Sequence, residues 1–102
     1  MHLARLLGEQ KRRPVVVLSP DKRNELAVDV VVVPCSTAAR MSAWHVRLDR
    51  GEGGLDRPSA AKCEQVTTIP RDWLDPKPLG GPIARRFMLE IRDALLRALD
   101  YE

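Results

Sequence analysis

Arg12-Arg13-Pro14-Val15-Val16-Val17-Leu18-Ser19-Pro20 and its echo, Val30-Val31-Val32-Val33-Pro34-Cys35-Ser36-Thr37, decide how this chain folds. Each is a continuous β-branched run, too short and too uniformly apolar for an amphipathic helix. Both read as strands buried on both faces. Their ends carry chemically useful groups. Arg13 precedes the first run, where Pro14 restrains it to an extended conformation. Ser36 and Thr37 follow the second, which Pro34 is expected to end. If the two strands are neighbours in a sheet, a guanidinium and a hydroxyl meet at one rim.

Working outward, the first residues alternate loosely (Leu3, Ala4, Arg5, Leu6, Leu7) and suggest a short strand, with one helical turn as the alternative. Gly8–Arg12 is a polar, basic connector. Ser19-Pro20-Asp21 marks a turn, and residues 21–28 form a polar loop in which Asn24 suits a left-handed conformation. Residues 35–40 make a loop of small side chains that lets a ligand approach the backbone, with Arg40 adding a positive charge. In 43–48, Trp44, Val46 and Leu48 alternate with His45 and Arg47, the pattern of a half-exposed antiparallel strand. Gly51-Glu52-Gly53-Gly54 reads as a flexible turn. It lacks the Lys-Ser/Thr and the following helix that a phosphate loop needs. Residues 59–69 alternate again as a strand or strand pair ending at Pro70, with Lys62 and Glu64 on one face. A Pro/Gly-rich connector with room for one short turn or strand fills 71–82. Pro82 then opens the one convincing helix. Its apolar positions 83, 87, 88, 91, 94, 95, 98 and 99 keep helical spacing, and Arg85, Arg86, Arg92 and Arg97 face outward. The sum is a mainly β (α+β) chain: a small, partly closed antiparallel barrel with a C-terminal helix.

Composition bounds the function. A chain of 102 residues is long enough for one domain, 1–102, and too short for two. At 44% hydrophobic and 30% charged it belongs with globular rather than disordered sequences, and at 4% aromatic its core must be mainly aliphatic. A formal net charge of +3 permits a polyanionic partner without requiring one. Cys35 and Cys63 have no zinc-type spacing and read as buried free thiols. No apolar run reaches the roughly 20 residues of a membrane span, and no signal-peptide pattern opens the chain. A cytosolic, reduced protein is expected.

Four blocks taken together resemble the MazF/PemK (Kid-like) toxins of bacterial toxin–antitoxin modules. They are Arg13-Pro14-Val15-Val16-Val17-Leu18-Ser19-Pro20; Val31-Val32-Val33-Pro34-Cys35-Ser36-Thr37; Lys62-Cys63-Glu64-Gln65-Val66-Thr67-Thr68-Ile69; and the terminal helix. The resemblance implies an SH3-like barrel (MazF/PemK/CcdB-like) and a homodimer. It implies a metal-independent, sequence-specific endoribonuclease with no cofactor, acting on single-stranded RNA (mRNA) and neutralised by a cognate MazE-like antitoxin. The implied reaction is attack of the ribose 2′-hydroxyl on the adjacent phosphate, leaving a 2′,3′-cyclic phosphate and a free 5′-hydroxyl. Two features depart from the family pattern. Met1–Leu7 must substitute for the usual N-terminal Arg/Lys-Gly-Asp/Glu-Val-Trp strand, and the loop before Arg13 is short.

On that resemblance the catalytic candidates are Arg13, Ser36 and Glu64. Thr37, Arg40, His45, Lys62 and Gln65 are candidates for contacting RNA, and no metal ligands are implied. The residue types suit the chemistry. A phosphorane needs its charge stabilised, and Arg13 offers a planar fork of donors matched to phosphate oxygens. Ser36 stands where the family usually has threonine, so either it or Thr37 supplies the hydroxyl. Glu64 is a base by residue type. Each residue also has an ordinary role open to it. Arg13 can pair with Glu9 or Asp21, Ser36 and Thr37 can shape a turn, Lys62 and Glu64 can form a solvated pair, and His45 can be a surface strand residue. The competing functional reading is a non-cleaving member of the same fold: a degenerate toxin that binds antitoxin or RNA, or a CcdB-like gyrase poison.

Overall fold

The computed structural model describes residues 1–6, 12–20, 27–38 and 40–99. The Gly8–Lys11 connector, Asp21 and the loop around Asn24 lie outside the described residues. Six strands appear in chain order: β1 (His2–Arg5), β2 (Arg12–Val17), β3 (Asp29–Ser36), β4 (His45–Leu48), β5 (Ser59–Lys62) and β6 (Thr67–Pro70). One helix follows, α1 (Arg85–Ala98). Every ladder is antiparallel. The order is β1-β2-β3-β5-β4, with β6 also beside β3. The mainly β architecture with a C-terminal helix is therefore present. Among the described residues no ladder joins β4 back to β1, so the sheet bends without hydrogen-bonded closure into a barrel.

Both valine runs do bury two faces. Val16, Val33 and Cys35 enter one core with Val46, Leu48, Cys63, Phe87, Ile91 and Ala94. Their alternates Val15, Val30 and Val32 enter a second core with Ala4 and Ile69. The period-2 alternation of a strand dictates this division. Helix α1 covers the first core through Phe87, Ile91 and Ala94. The second is capped at one end by Trp73 and Leu74.

Strand β3 does not stop at Pro34, as the sequence suggests, but continues to Ser36. On its second edge, pairing with β6 ends at Val32 and pairing with β5 begins at Cys35. Pro34 lies in that gap, where a residue without an N–H is tolerated. The alternation expected across 59–69 is broken at the same place by a 3₁₀ turn at Cys63–Gln65. Glu64 therefore leaves the strand face it was expected to share with Lys62. Trp44 precedes β4 and is 46% exposed, so it is no part of the core.

The short N-terminal strand suggested by the sequence is present as β1. It pairs with β2 on one edge. On the other, Ala4 bridges Leu74, and Met1 and Leu3 carbonyls accept from the Leu79 and Asp75 amides at 2.9 and 2.8 Å.

The glycine-rich stretch is an ordered turn rather than a flexible one. Gly51, Gly53 and Gly54 all have positive φ, and the Leu55 carbonyl accepts from the Gly51 amide at 2.8 Å. Helix α1 begins three residues after Pro82. Its N-cap Ala84 has no capping side chain of its own. Instead Glu52 Oε2 accepts from the Ala84 amide at 3.0 Å, placing a carboxylate at the positive end of the helix.

Glu52→Ala should therefore lower stability by roughly 1 kcal/mol, the usual value of an N-terminal cap, measurable by urea unfolding. Gly54→Ala should cost more than about 1 kcal/mol, because φ there is +93° and a Cβ would lie 2.4 Å from the Leu79 carbonyl group.

Candidate active site

The register of β2 on β3 pairs Val15 with Pro34, Val16 with Val33 and Val17 with Val32. Continued outward by two residues, it sets Arg13 across from Ser36. Both belong to the face that carries the second core, at its open end. The sequence expectation of a guanidinium and a hydroxyl at one rim is met. Arg13, Ser36 and Thr37 together line a cavity of about 650 Å³, with Arg12 and Asp56 also on its wall. The hairpin is tied at its far end by the Leu18 amide donating to the Val31 carbonyl (2.8 Å) and the Val31 amide donating to Ser19 Oγ (3.1 Å).

Ser36 Oγ accepts from the Ala38 amide at 3.2 Å. It is thus a turn-maker, yet that bond uses a lone pair and leaves the O–H to donate. Arg12 donates to Asp75 Oδ2 at 3.0 Å, which offsets the charge of Arg5 directly opposite it.

Across β3–β5–β4, Ser36, Ala60 and Arg47 stand in one row, and Lys62 and His45 pair in the row two residues on. Residues directly opposite share a face, as do residues two apart. Ser36, Arg47, Lys62 and His45 therefore share one face, with the small Ala60 as floor between Ser36 and Arg47. Cys35, Ala61 and Val46 occupy the reverse, in the first core.

A second group lies at the far end of this platform. The Arg40 carbonyl accepts from His45 Nδ1, and His45 Nε2 and Glu64 Oε1 share a hydrogen bond at 3.0 Å. The imidazole is 10% exposed and the Glu64 side chain 32%. Glu64 thus pairs with His45 rather than with Lys62. Arg40 takes part through its backbone, its side chain being exposed. Gln65 is exposed at the end of the same turn.

The candidates accordingly form two groups, Arg13 with Ser36 and Thr37, and His45 with Glu64, Lys62 and Arg40. Adjoining the first is a smaller cavity of about 290 Å³ that shares Ser36 and Thr37 and adds Met41, Arg47 and Arg57. Sequence reasoning did not select these three. Arg47 was legible as the partner of His45 on the polar face of its strand. Arg57, in an Asp-Arg-Pro loop, gave no signal. Arg97, expected on a solvated face, donates from Nε to the Ala43 carbonyl at 2.9 Å.

Each cysteine adjoins a candidate residue in sequence but faces the core. Burial foremost, then the nearby Cys63, pushes the Cys35 thiol up to about 12, with the Met1 amine opposing. Burial, then Glu64, pushes Cys63 up to about 11, with Arg97 opposing. Among the described residues no three His, Cys, Asp or Glu side chains gather as a metal site, and no helix is long and apolar enough to cross a membrane.

Comparison with known proteins places this arrangement. Residues 4–99 match the family model of the PemK-like, MazF-like toxins of type II toxin–antitoxin systems. The chain belongs to that family. Endoribonuclease MazF3 of Mycobacterium tuberculosis is 34% identical over 70 residues, 69% of this chain and 64% of the relative. The chain thus spans a little under two thirds of that relative's length. Probable endoribonuclease MazF5 of the same species is 36% identical over 63 residues, 62% of this chain and 58% of the relative. Among solved structures, the M. tuberculosis toxin MazF-mt6 superposes with a TM-score of 0.85 at 29% identity, covering 99% of this chain and 96% of that one. A mycobacterial endoribonuclease solved with its cognate antitoxin shares the fold, with a TM-score of 0.80 at 23% identity over 99% and 93% of the two chains.

Both thiols have folded values above their ordinary 9.0. The neutral thiols therefore favour the folded state fully below about pH 9, and that contribution is lost as pH rises through about 11 to 12. Thermal stability should fall as pH is raised above 9. At pH 7 neither thiol should react with a thiol-specific reagent until denaturant is added.

Proposed function

We propose that this chain is an endoribonuclease toxin that cuts single-stranded RNA at a short sequence motif without a metal ion or other cofactor. The observation that carries the reading is the convergence of Arg13, Ser36 and Thr37 on one cavity at the open end of the β2–β3 pair. The chain's family and its endoribonuclease relatives agree with it.

The ribose 2′-oxygen attacks the adjacent phosphorus, its proton passes to a base, and the P–O5′ bond breaks as the leaving 5′-oxygen takes up a proton. The products are a 2′,3′-cyclic phosphate and a 5′-hydroxyl. Arg13 supplies fork-shaped donors to the non-bridging oxygens as charge builds on the phosphorane. Ser36, its hydroxyl proton free, donates to the same group, and Thr37 stands beside it. Arginine stays charged at neutral pH and is a poor proton shuttle. Glu64, oriented by His45, is the carboxylate suited to accept the 2′-proton, and Lys62 adds positive charge opposite His45. Arg40 and Gln65, both exposed, border this end and are proposed as RNA contacts. By family resemblance, the working unit is a cytoplasmic homodimer silenced by a MazE-like antitoxin; a mycobacterial protein of this fold was solved with its cognate antitoxin and one from Deinococcus radiodurans as MazE–MazF.

The test is cleavage of a long single-stranded RNA in EDTA with end-mapping of products. The wild type should cut at one short motif and leave cyclic phosphate. Arg13→Ala should lose about 10²–10³ in kcat, the usual loss for one preorganised donor, or more. No cutting by folded protein would favour the non-cleaving reading. Undiminished cutting by the variant would remove Arg13 from the chemistry.

A further inference from the structure

Resting on that functional reading, we infer that the 290 Å³ cavity beside Ser36 and Thr37 is a base-reading subsite. It takes the nucleotide next to the scissile phosphate and selects a base with two adjacent acceptors, guanine by its Hoogsteen edge or cytosine by its Watson–Crick edge.

The lining dictates the choice. Its charged groups among the described residues are the two guanidiniums, Arg47 and Arg57, and no carboxylate lines it. Neither arginine has a carboxylate partner among the described residues. The rest of the wall is Met41, which is 51% exposed, with Pro58 and the buried Ala60. A phosphate gains little from a thioether, a proline ring and a methyl floor, whereas the flat face of a base packs on them. Arg47 and Arg57 are donors only. They match a base edge that presents two acceptors side by side, which is N7 and O6 of guanine or N3 and O2 of cytosine. Adenine sets its N6 donor beside N7 and beside N1, and uracil sets its N3–H between two carbonyls. Either base therefore points a donor at a guanidinium.

Position fits the same role. The cavity shares Ser36 and Thr37 with the Arg13 cavity. In the Ser36–Ala60–Arg47 row, Arg47 stands two strand spacings from Ser36, on the order of 10 Å between backbones. A strand whose phosphate lies at Ser36 lays its neighbouring base over Ala60. On its other side Arg47 also lines a cavity of mixed charge, with Glu90 and Asp93 beside His45 and Arg97.

The test uses short RNA oligomers made non-cleavable by 2′-O-methylation, randomised in sequence and selected by binding to the wild type, Arg47→Gln and Arg57→Gln. A cleavable pool is run in parallel. Both arginines are exposed, and thermal melting checks that the variants fold. Wild type should enrich guanine or cytosine at one position beside the cut. Glutamine both donates and accepts, so each variant should admit adenine there, with the base preference falling about tenfold or more. A preference that survives in both variants while binding drops equally for all sequences would show that the arginines hold phosphate, overturning the inference. A flat wild-type profile would overturn it too. Base selection by a wild type that never cuts would sustain the subsite while sinking the nuclease reading.

Discussion

Strand β3 must bury both of its faces at once, and the rest of the structure follows from meeting that demand. Its odd positions Val33 and Cys35 enter the core under α1, and its even positions Val30 and Val32 enter the second core. Each fully buried side chain of this size contributes about 1.5–3 kcal/mol. Slipping the register on β2 by one residue would turn every side chain of β2 to the wrong core. Register is therefore fixed by packing, and with it the placement of Arg13 across from Ser36. The geometry of the candidate active site is a by-product of how two valine runs are shared between two cores.

The same alternation explains why the site is open. Helix α1 covers one face of the bent sheet. On the other face the second core occupies only one end, closed by Trp73 and Leu74. Beyond Val32 that face passes from valine to Pro34, Ser36, Ala60, Arg47, Lys62 and His45, and no element of the described structure packs over it completely. Chemistry-bearing residues and core residues are nearest neighbours in sequence. Cys35 precedes Ser36 and Cys63 precedes Glu64, yet the thiols lie with the core and are held neutral by burial.

Legibility in the sequence followed the strength of local pattern. The valine runs, the His45–Leu48 alternation and the terminal helix are periodic over enough residues to be read directly, and they carry the fold. Proline and glycine were read less well, because what they do depends on the opposite strand. Pro34 ends a strand only if a partner needs its N–H, and here none is paired in the gap between β6 and β5. The glycine turn appeared flexible because nothing local shows that Leu79 and Gly80 close over it. The break of 59–69 at Cys63–Gln65 was hidden for a similar reason: alternation continues in the letters while the ladder is interrupted. In the site, Arg13, Ser36 and Thr37 were found from strand ends. Arg57 could not be, since only the fold brings that loop to the cavity.

The two groups of the site differ in what they can do to a proton. Around Arg13 and Ser36 the wall is mostly donors, two guanidiniums and the hydroxyls of Ser36 and Thr37 against the single carboxylate of Asp56. Around His45 and Glu64, both imidazole nitrogens are committed, one to a backbone carbonyl and one to the carboxylate. The carboxylate keeps a second oxygen and the remaining lone pairs of the first, which under the proposed reading suits Glu64 to accept a proton and His45 to orient it. Under the proposed reading, an RNA strand laid along this face would span both groups.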